Sequence, residues 1–556
     1  MKKIAFSVIV AVVVSFVGST VAQTRSNKTE IAQNLNIFNA IYKELQTNYV
    51  DTINAATSIR NAIDAMLGQI DPYTEYYPAD DQDELRVLQT GEYGGIGSLI
   101  MQRSGTVVLS EPLPGSPARK AGVRHGDVIL AIDGDSLPAG YSSAQASARL
   151  KGLAGTKVRL KVKRPYVSDS IVDIEIVRGN IKTNSVPYSG MLRDGVGYIR
   201  LTTFDDNSAS LVKDALVELK KNPGLKSVIL DLRDNGGGLL ESAVQIVGLF
   251  VPKGTEVVRT KYRQREYEKI YKTTQSPVDV DIPLAVLVNG NTASSSEIVA
   301  GSLQDLDRAV IVGERSFGKG LVQTSRPLPY DGLLKVTVAR YYIPSGRLIQ
   351  AIDYSHRNED GSVARIPDSL TNVFHTAIGR EVRDGGGISP DSVVAHKQIN
   401  RLIYNVLADN WAFDYANRFA ARQGSDMPSA ADFEVTDSIF NDFKQFIDPG
   451  KFKYDRLCES GLKYLREAAR NEGYMNDSVA AEFDRLEAML KHDLNQDLDF
   501  NAKELKDILD DEISSRYYDE GEQVMRTLRS DEDLDAAVAI LTDPDLYRRI
   551  LSAPEK

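Results

Sequence analysis

From Glu30 to Gln69 apolar residues recur at three- and four-residue steps, Ile31, Leu35, Ile37, Ile41 and Leu45, then Ile59, Ile63 and Leu67. That period predicts two helices. The turn-forming stretch DPYTEYYP, Asp71 to Pro78, closes them and opens a loop. From Tyr93 to Pro165 the pattern shifts to short β-rich runs broken by glycine, GGIGSLIM, TVVLSEP, GDVILAIDG and VRLKVKR, with a helix near Ser142 to Leu150. A small β-domain is expected there. Between Val167 and Pro390 the apolar strands GVGYIRL, SVILDLR, PLAVLVNG and AVIVGE alternate with helices over Ser208 to Lys221, Leu240 to Phe250 and Ser296 to Leu306. Strands that are apolar throughout predict a mixed or parallel sheet covered on both faces. Past Lys397 the chain becomes acidic and helical in period, with ESGLKYLREAARNEG and AAEFDRLEAMLKHDL amphipathic. No catalytic motif lies there, so this tail reads as a helical appendage for substrate restriction, tethering or oligomerisation.

The chain of 556 residues is long enough for several domains, and its pattern divides it into 1–22, 23–85, 86–165, 166–396 and 397–556. The first segment has the layout of a secretory signal peptide: Lys2 and Lys3, an apolar run from Ile4 to Val17, and small residues ending at Thr20-Val21-Ala22. The mature chain is expected to begin at Gln23, exported and in the first instance periplasmic, with membrane-associated or extracellular placement as alternatives. An uncleaved anchor is the rival reading, although the run is short for a span of about 20 residues. A hydrophobic fraction of 42% and a charged fraction of 26% exclude a disordered or polytopic membrane chain. The net charge of −11 argues against a nucleic-acid partner.

Cys458 is the only cysteine, so no intramolecular disulfide can form. Its setting, YDRLCESGLKYL, is helical in period and predicts a buried packing residue rather than a thiol catalyst. The five histidines, at 125, 356, 375, 396 and 492, show no paired ligand spacing, so neither a metal nor a cofactor is expected.

Chemistry concentrates in NTASSSEIVAGSLQDLDRAVIVGERSFGKGLVQ, residues 291 to 323. A serine hydroxyl attacks only with a base in reach, and a lysine is a base only when neutral. Burial lowers a lysine pKa by as much as about 3–5 units, and roughly three bring it from about 10.4 to near 7. An isolated GKG lysine is an ordinary loop residue, but Lys319 is accompanied by the serines, by Gln323 and by LDLRDNGGGLL, a buried strand ending in a glycine loop. Such a loop can aim N–H groups at an oxyanion. It could also cradle a phosphate, yet no GxxxxGK[ST] sequence is present. A Ser-His-Asp triad lacks a histidine in any glycine-flanked loop near the serines.

Lys319 follows Ser294 by 25 residues and Gln323 follows Lys319 by four, and this spacing resembles the carboxy-terminal processing, or tail-specific, serine proteases. GGIG at Gly94 to Gly97 with SPARKAGVRHGDVILAIDG at Ser116 to Gly134 resembles a PDZ domain, and KVTVARYYIPSGRLIQ and GREVRDGGGISPD resemble the closing elements of the same family. The resemblance spans about residues 30 to 395. It implies a multi-domain α/β protein whose protease core is related to the crotonase and Clp folds, with an inserted PDZ domain, N-terminal helices and a C-terminal helical extension. It also implies Ser294 as nucleophile, Lys319 as base and Gln323 as its orienter. The oxyanion would meet the N–H groups of Gly237 and Ser295, and Ser296 would cap a helix. Gly95, Ile96, Gly97 and Ser98 would form the turn that holds a peptide's terminal carboxylate, glycine letting successive N–H groups converge. The function expected is an exported serine endopeptidase that recognises protein C-termini and cuts with a Ser-Lys dyad. A non-catalytic PDZ scaffold is the alternative. Protein or peptide substrates are the implied partners, with the tail left for an adaptor or a second copy.

Overall fold

The computed structural model describes residues 28–79, 92–103, 105–167, 170–182, 184–358, 362–396, 400–424, 427–454 and 456–553. The signal segment 1–22 lies outside them. The chain divides into two units, residues 28–77 with 325–336, and 78–324 with 337–553.

In the first unit the two expected helices run over 28–48 and Ala55–Gly68. Asn54 starts the second by accepting the Thr57 N–H at 3.0 Å. Strand Glu75–Tyr77 pairs antiparallel with residues 333–335, and Lys335 meets Glu75 at 2.8 Å. Ile31, Leu35, Phe38 and Ile41 remain exposed on the first helix.

The second unit opens with the β-domain. Its sheet is ordered Ser98–Arg103, Thr106–Pro112, Asp127–Ile132, Lys157–Lys163, Ile171–Val177, antiparallel throughout. The sheet runs past residue 165, where the change of pattern set its edge, because Ile171–Val177 pairs along the full length of Lys157–Lys163. Strand Lys157–Lys163 alternates buried Val158, Leu160 and Val162 with exposed lysines and arginine, the signature of a sheet with one wet face. Helix Ser143–Leu150 begins at a reciprocal cap between Ser142 and Gln145.

The α/β part that follows is a six-stranded mixed sheet ordered Ser189–Met191, Val196–Arg200, Ser227–Asp231, Leu284–Val288, Val310–Gly313, Ser392–Val393. All neighbours are parallel except the first pair. Side chains alternate between the faces, as strand geometry requires. Val228, Leu230, Leu284, Val286, Val288 and Ile311 join a core with helices Ser208–Leu219, Leu240–Val247 and Ser295–Asp305. The opposite face, Tyr198, Ile229, Ala285, Leu287, Val310 and Val312, packs on Leu528, Leu534, Ala537, Val538, Ile540 and Leu541.

That second contact changes the reading of the tail. Residues 401–517 form helices around their own core of Leu402, Val406, Tyr415, Phe443, Leu505 and Leu509, as an appendage would. Helix Glu532–Thr542, however, is the second cover layer of the six-stranded sheet. Cys458 also departs from expectation: it is exposed, because helix Leu457–Asn471 buries none of its residues.

Candidate active site

Strand Leu284–Val288 leads through Asn289 to Thr292 into the turn that carries Ser294, and helix Ser295–Asp305 begins directly after it. Ser294 holds φ 57° and ψ −116°. A side chain there costs of order 1–3 kcal/mol, so the surrounding bonds must hold it. The neighbouring hydroxyls are committed elsewhere. Ser295 Oγ donates to the Gly238 carbonyl at 2.8 Å and Ser296 Oγ to the Asn235 carbonyl at 2.9 Å, and both residues are buried. Ser296 therefore ties the helix to the glycine loop rather than capping it by its side chain.

The lysine loop follows strand Val310–Gly313, and its glycines are required where they stand. Gly318 has φ +91°, and a Cβ on it would lie 2.3 Å from the Ala351 Cβ. Lys319 is half-buried rather than sealed in, and Phe317 is exposed. Gln323 is half-buried too, and its amide donates to Thr337 Oγ1 at 3.1 Å.

What joins the two loops is a carboxylate that the sequence reading passed over. Glu297, fully buried in the first turn of the serine helix, accepts the Ser294 N–H at 2.9 Å and the Lys319 N–H at 2.8 Å on Oε2. Its Oε1 accepts the Gly318 N–H at 2.7 Å and the Ser316 hydroxyl at 2.5 Å. Burial pushes the Glu297 carboxyl up to about 7, and the four donors pull against that rise. Tyr341, also buried, adds a second bridge: its hydroxyl reaches the Ser294 carbonyl at 3.0 Å and the Lys319 carbonyl. The Phe317 N–H donates to the Thr292 carbonyl at 2.9 Å as a third. The spacing Ser294-x-x-Glu297 is a helix-start signature that places the cap at Ser294 rather than at the expected Ser296; the reach of Glu297 to a loop 22 residues later is not written in that spacing.

The glycine loop comes from the end of strand Ser227–Asp231. Asn235 organises it, donating from Nδ2 to the Leu201 carbonyl at 2.8 Å and accepting the Gly237 N–H on Oδ1 at 2.9 Å, while its own carbonyl takes the Ala293 N–H at 3.0 Å. Gly237, at φ +99°, lies so close to the serine turn that a Cβ would be 2.8 Å from the Ser294 Cβ and 2.9 Å from the Ser295 nitrogen. The Gly237 N–H is thus directed at Asn235 in this arrangement, and the Ser295 N–H meets no acceptor among the described residues. The base of the loop is gripped from the tail: Arg233 binds Asp531 at 2.6 Å, Asp533 at 3.0 Å and the buried Asp231 at 2.7 Å.

In the β-domain, Gly94 and Gly95 end a strand paired with Gly179–Lys182. Gly97 has φ +71°, with Ser116 and Ile181 too close for a Cβ. The carbonyls of Ile96 and Gly97 accept from Ala118 and Leu113, and the N–H groups of Ile96 and Gly97 meet no acceptor among the described residues. Ser98 begins the strand that follows, its hydroxyl on the Leu99 carbonyl.

Residues 195–355 match the model of "Peptidase family S41", 108–164 that of a PDZ domain, and 402–541 that of "Probable PDZ-protease, C-terminal helical domain". A carboxy-terminal-processing protease of Bartonella bacilliformis is 37% identical over 332 residues, which is 59% of this chain and 75% of the relative. The chain belongs to the carboxy-terminal processing proteases of family S41. A "Probable CtpA-like serine protease" of Staphylococcus haemolyticus is 32% identical over 61% of this chain and 69% of its own. The solved photosystem II D1 C-terminal processing protease is 29% identical, covering 64% of this chain and 86% of that one, with a TM-score of 0.36. The protein is accordingly a serine peptidase with a PDZ domain and a C-terminal helical domain.

Proposed function

We propose that Ser294 is the nucleophile and Lys319 the general base of this carboxy-terminal processing protease. The observation that carries the assignment is the Glu297 carboxylate, which binds the backbone N–H of both residues and so fixes serine and lysine loops in one constellation. Neutral Lys319 takes the Ser294 proton as Oγ attacks the scissile carbonyl. The oxyanion formed is received by the Ser295 N–H and by the glycine loop at Gly237, whose N–H would turn from Asn235 to do so. When the C–N bond breaks, the Lys319 ammonium returns the proton to the leaving amine, and water attacks the acyl ester by the same route. Gln323 would orient the lysine only after leaving Thr337.

The free N–H groups of Ile96 and Gly97 suit the terminal carboxylate of a substrate, with Gly95 and Ser98 flanking the turn. The lysine-led apolar segment before Gln23 supports export to the periplasm. The test is reaction with a fluorophosphonate and cleavage of a peptide with an apolar C-terminal residue, in the parent and in Ser294→Ala and Lys319→Ala. Both activities are expected in the parent and neither in the variants. Binding of the peptide by the parent without labelling or cleavage would instead establish the scaffold reading.

A further inference from the structure

A cleft of about 530 Å³ lies between the PDZ domain and the helical tail, and its walls include no residue of the serine loop or of the peptide-carboxylate turn, although Pro112 on its rim pairs with Ser98. The PDZ side contributes Arg119, Arg124, His125 and Arg164, and the tail contributes Asn417, Arg516 and Tyr517; no carboxylate lines it. Two of the four guanidinium groups are compensated from outside the cleft, Arg164 by Asp127 at 2.8 Å and Arg516 by Glu512 at 2.6 Å. The side chains of Arg119 and Arg124 make no ion pair among the described residues.

The polar atoms of the cleft are also short of partners. Asn417 is 6% exposed, and its Oδ1 accepts from Arg516 Nε at 3.2 Å and Nη2 at 3.1 Å, which assigns the other terminus as the amide nitrogen. That Nδ2, together with His125 Nε2 and Tyr517 Oη, is buried without a hydrogen-bond partner among the described residues. Burial, reinforced by the charges of Arg516 and Arg119, pushes the His125 imidazole down to about 3, so it adds no positive charge of its own. Buried polar groups are ordinarily satisfied, and a wall of guanidinium groups with an unpartnered Asn417 Nδ2, which can only donate, and a Tyr517 hydroxyl, which can donate, is satisfied by a group rich in acceptors.

We propose that this cleft binds a small anion bearing phosphate or carboxylate groups, which bridges Arg119 and Arg124 of the PDZ domain to Asn417 and Tyr517 of the tail. The two domains already touch through the paired Arg103 and Asp414. A bound anion adds charge-assisted bonds across the same junction and stabilises one arrangement of PDZ domain and tail.

The test uses the full-length protein at constant ionic strength, titrated calorimetrically with pyrophosphate and, separately, with citrate, to distinguish the two anion chemistries. Saturable one-site binding of at least one probe is expected, with a rise in the thermal midpoint. Arg119→Gln with Arg124→Gln should weaken it at least tenfold, and at little cost to folding, because neither side chain makes an ion pair among the described residues and Arg119 acts on Glu111 only at longer range. Tyr517→Phe, which removes only a hydroxyl, should weaken it less. Lys157→Gln with Lys161→Gln, on the exposed face of strand Lys157–Lys163 and outside the cleft, should leave it unchanged. In NMR titrations the His125 signal should shift to a higher pKa when the probe is bound. Absence of saturable binding by both probes, or an affinity equal in the parent and the Arg119/Arg124 variant, overturns the proposal.

Discussion

Glu297→Gln separates the chemistry of the Glu297 hub from its shape, since the amide fills the same space but accepts at one atom only. Oε1 serves Ser316 and Gly318, and Oε2 serves Ser294 and Lys319. With its NH2 in place of Oε1 the amide loses the Gly318 bond, since the Ser316 hydroxyl can turn to accept, and with its NH2 in place of Oε2 it loses the bonds of both Ser294 and Lys319. One or two bonds are lost, about 1.5–3 kcal/mol each. The loss falls on the backbone of the serine or lysine loop, and misplacing reacting groups by about 1 Å costs roughly a hundredfold in rate. With a chromogenic peptide, kcat is expected to fall by about that factor or more, with KM little changed because the PDZ turn is untouched.

The same substitution has a signature in stability. With a folded pKa of about 7 against an ordinary 4.5, the folded protein keeps the Glu297 proton over a range in which the unfolded chain has lost it. The stability this group contributes is complete below about pH 4.5 and declines by about 3 kcal/mol as pH rises through 7. Glutamine does not titrate, so the deficit of the variant should shrink by about that amount between pH 4.5 and 8 in urea unfolding. A kcat close to that of the parent would refute the positioning role, and a deficit constant over that pH range would refute the raised pKa.

Ser294→Gly should be as inactive as Ser294→Ala but about 1 kcal/mol more stable in denaturant, because glycine relieves the positive φ. Arg233→Met leaves the buried Asp231 and the tail's Asp531 and Asp533 without their shared cation and should cost about 3–5 kcal/mol, read as a lowered thermal midpoint and lowered activity. Truncation after Thr527 strips Leu528, Leu534, Val538, Ile540 and Leu541 from the protease sheet. At about 1.5–3 kcal/mol per side chain the loss is about 7–15 kcal/mol, as large as a domain's whole stability, and the product should bind a hydrophobic dye and lose near-ultraviolet dichroism. Cys458, being exposed, should react with a maleimide without denaturant.

Local pattern carried much of the architecture. SVILD and LAVLV are buried at every position, so their runs of apolar residues could be read as covered strands, and Gly237, Gly238, Gly318 and Gly320 stand where positive φ or close approach demands them. YDRLCESGLKYL misled because its helical period was real while helix Asp477–Met489 covers its face only in part and leaves Cys458 outside: amphipathicity says that a face exists, not what covers it. The tail misled in the opposite sense, since nothing in EDLDAAVAILT announces that its contacts lie more than 200 residues earlier, at Ile229, Leu287 and Val310.

The sequence by itself determined the chemical inventory of this protein, a serine, a lysine and a glycine loop at family spacing behind a PDZ domain, because residue type and spacing are written along one dimension. Only the tertiary structure decided what holds them together. The Glu297 carboxylate shared by Ser294 and Lys319, the Tyr341 bridge, and the tail helix that closes the sheet and grips Arg233 all join segments distant in the chain. Such contacts depend on burial and three-dimensional approach, and neither is a property of any local stretch.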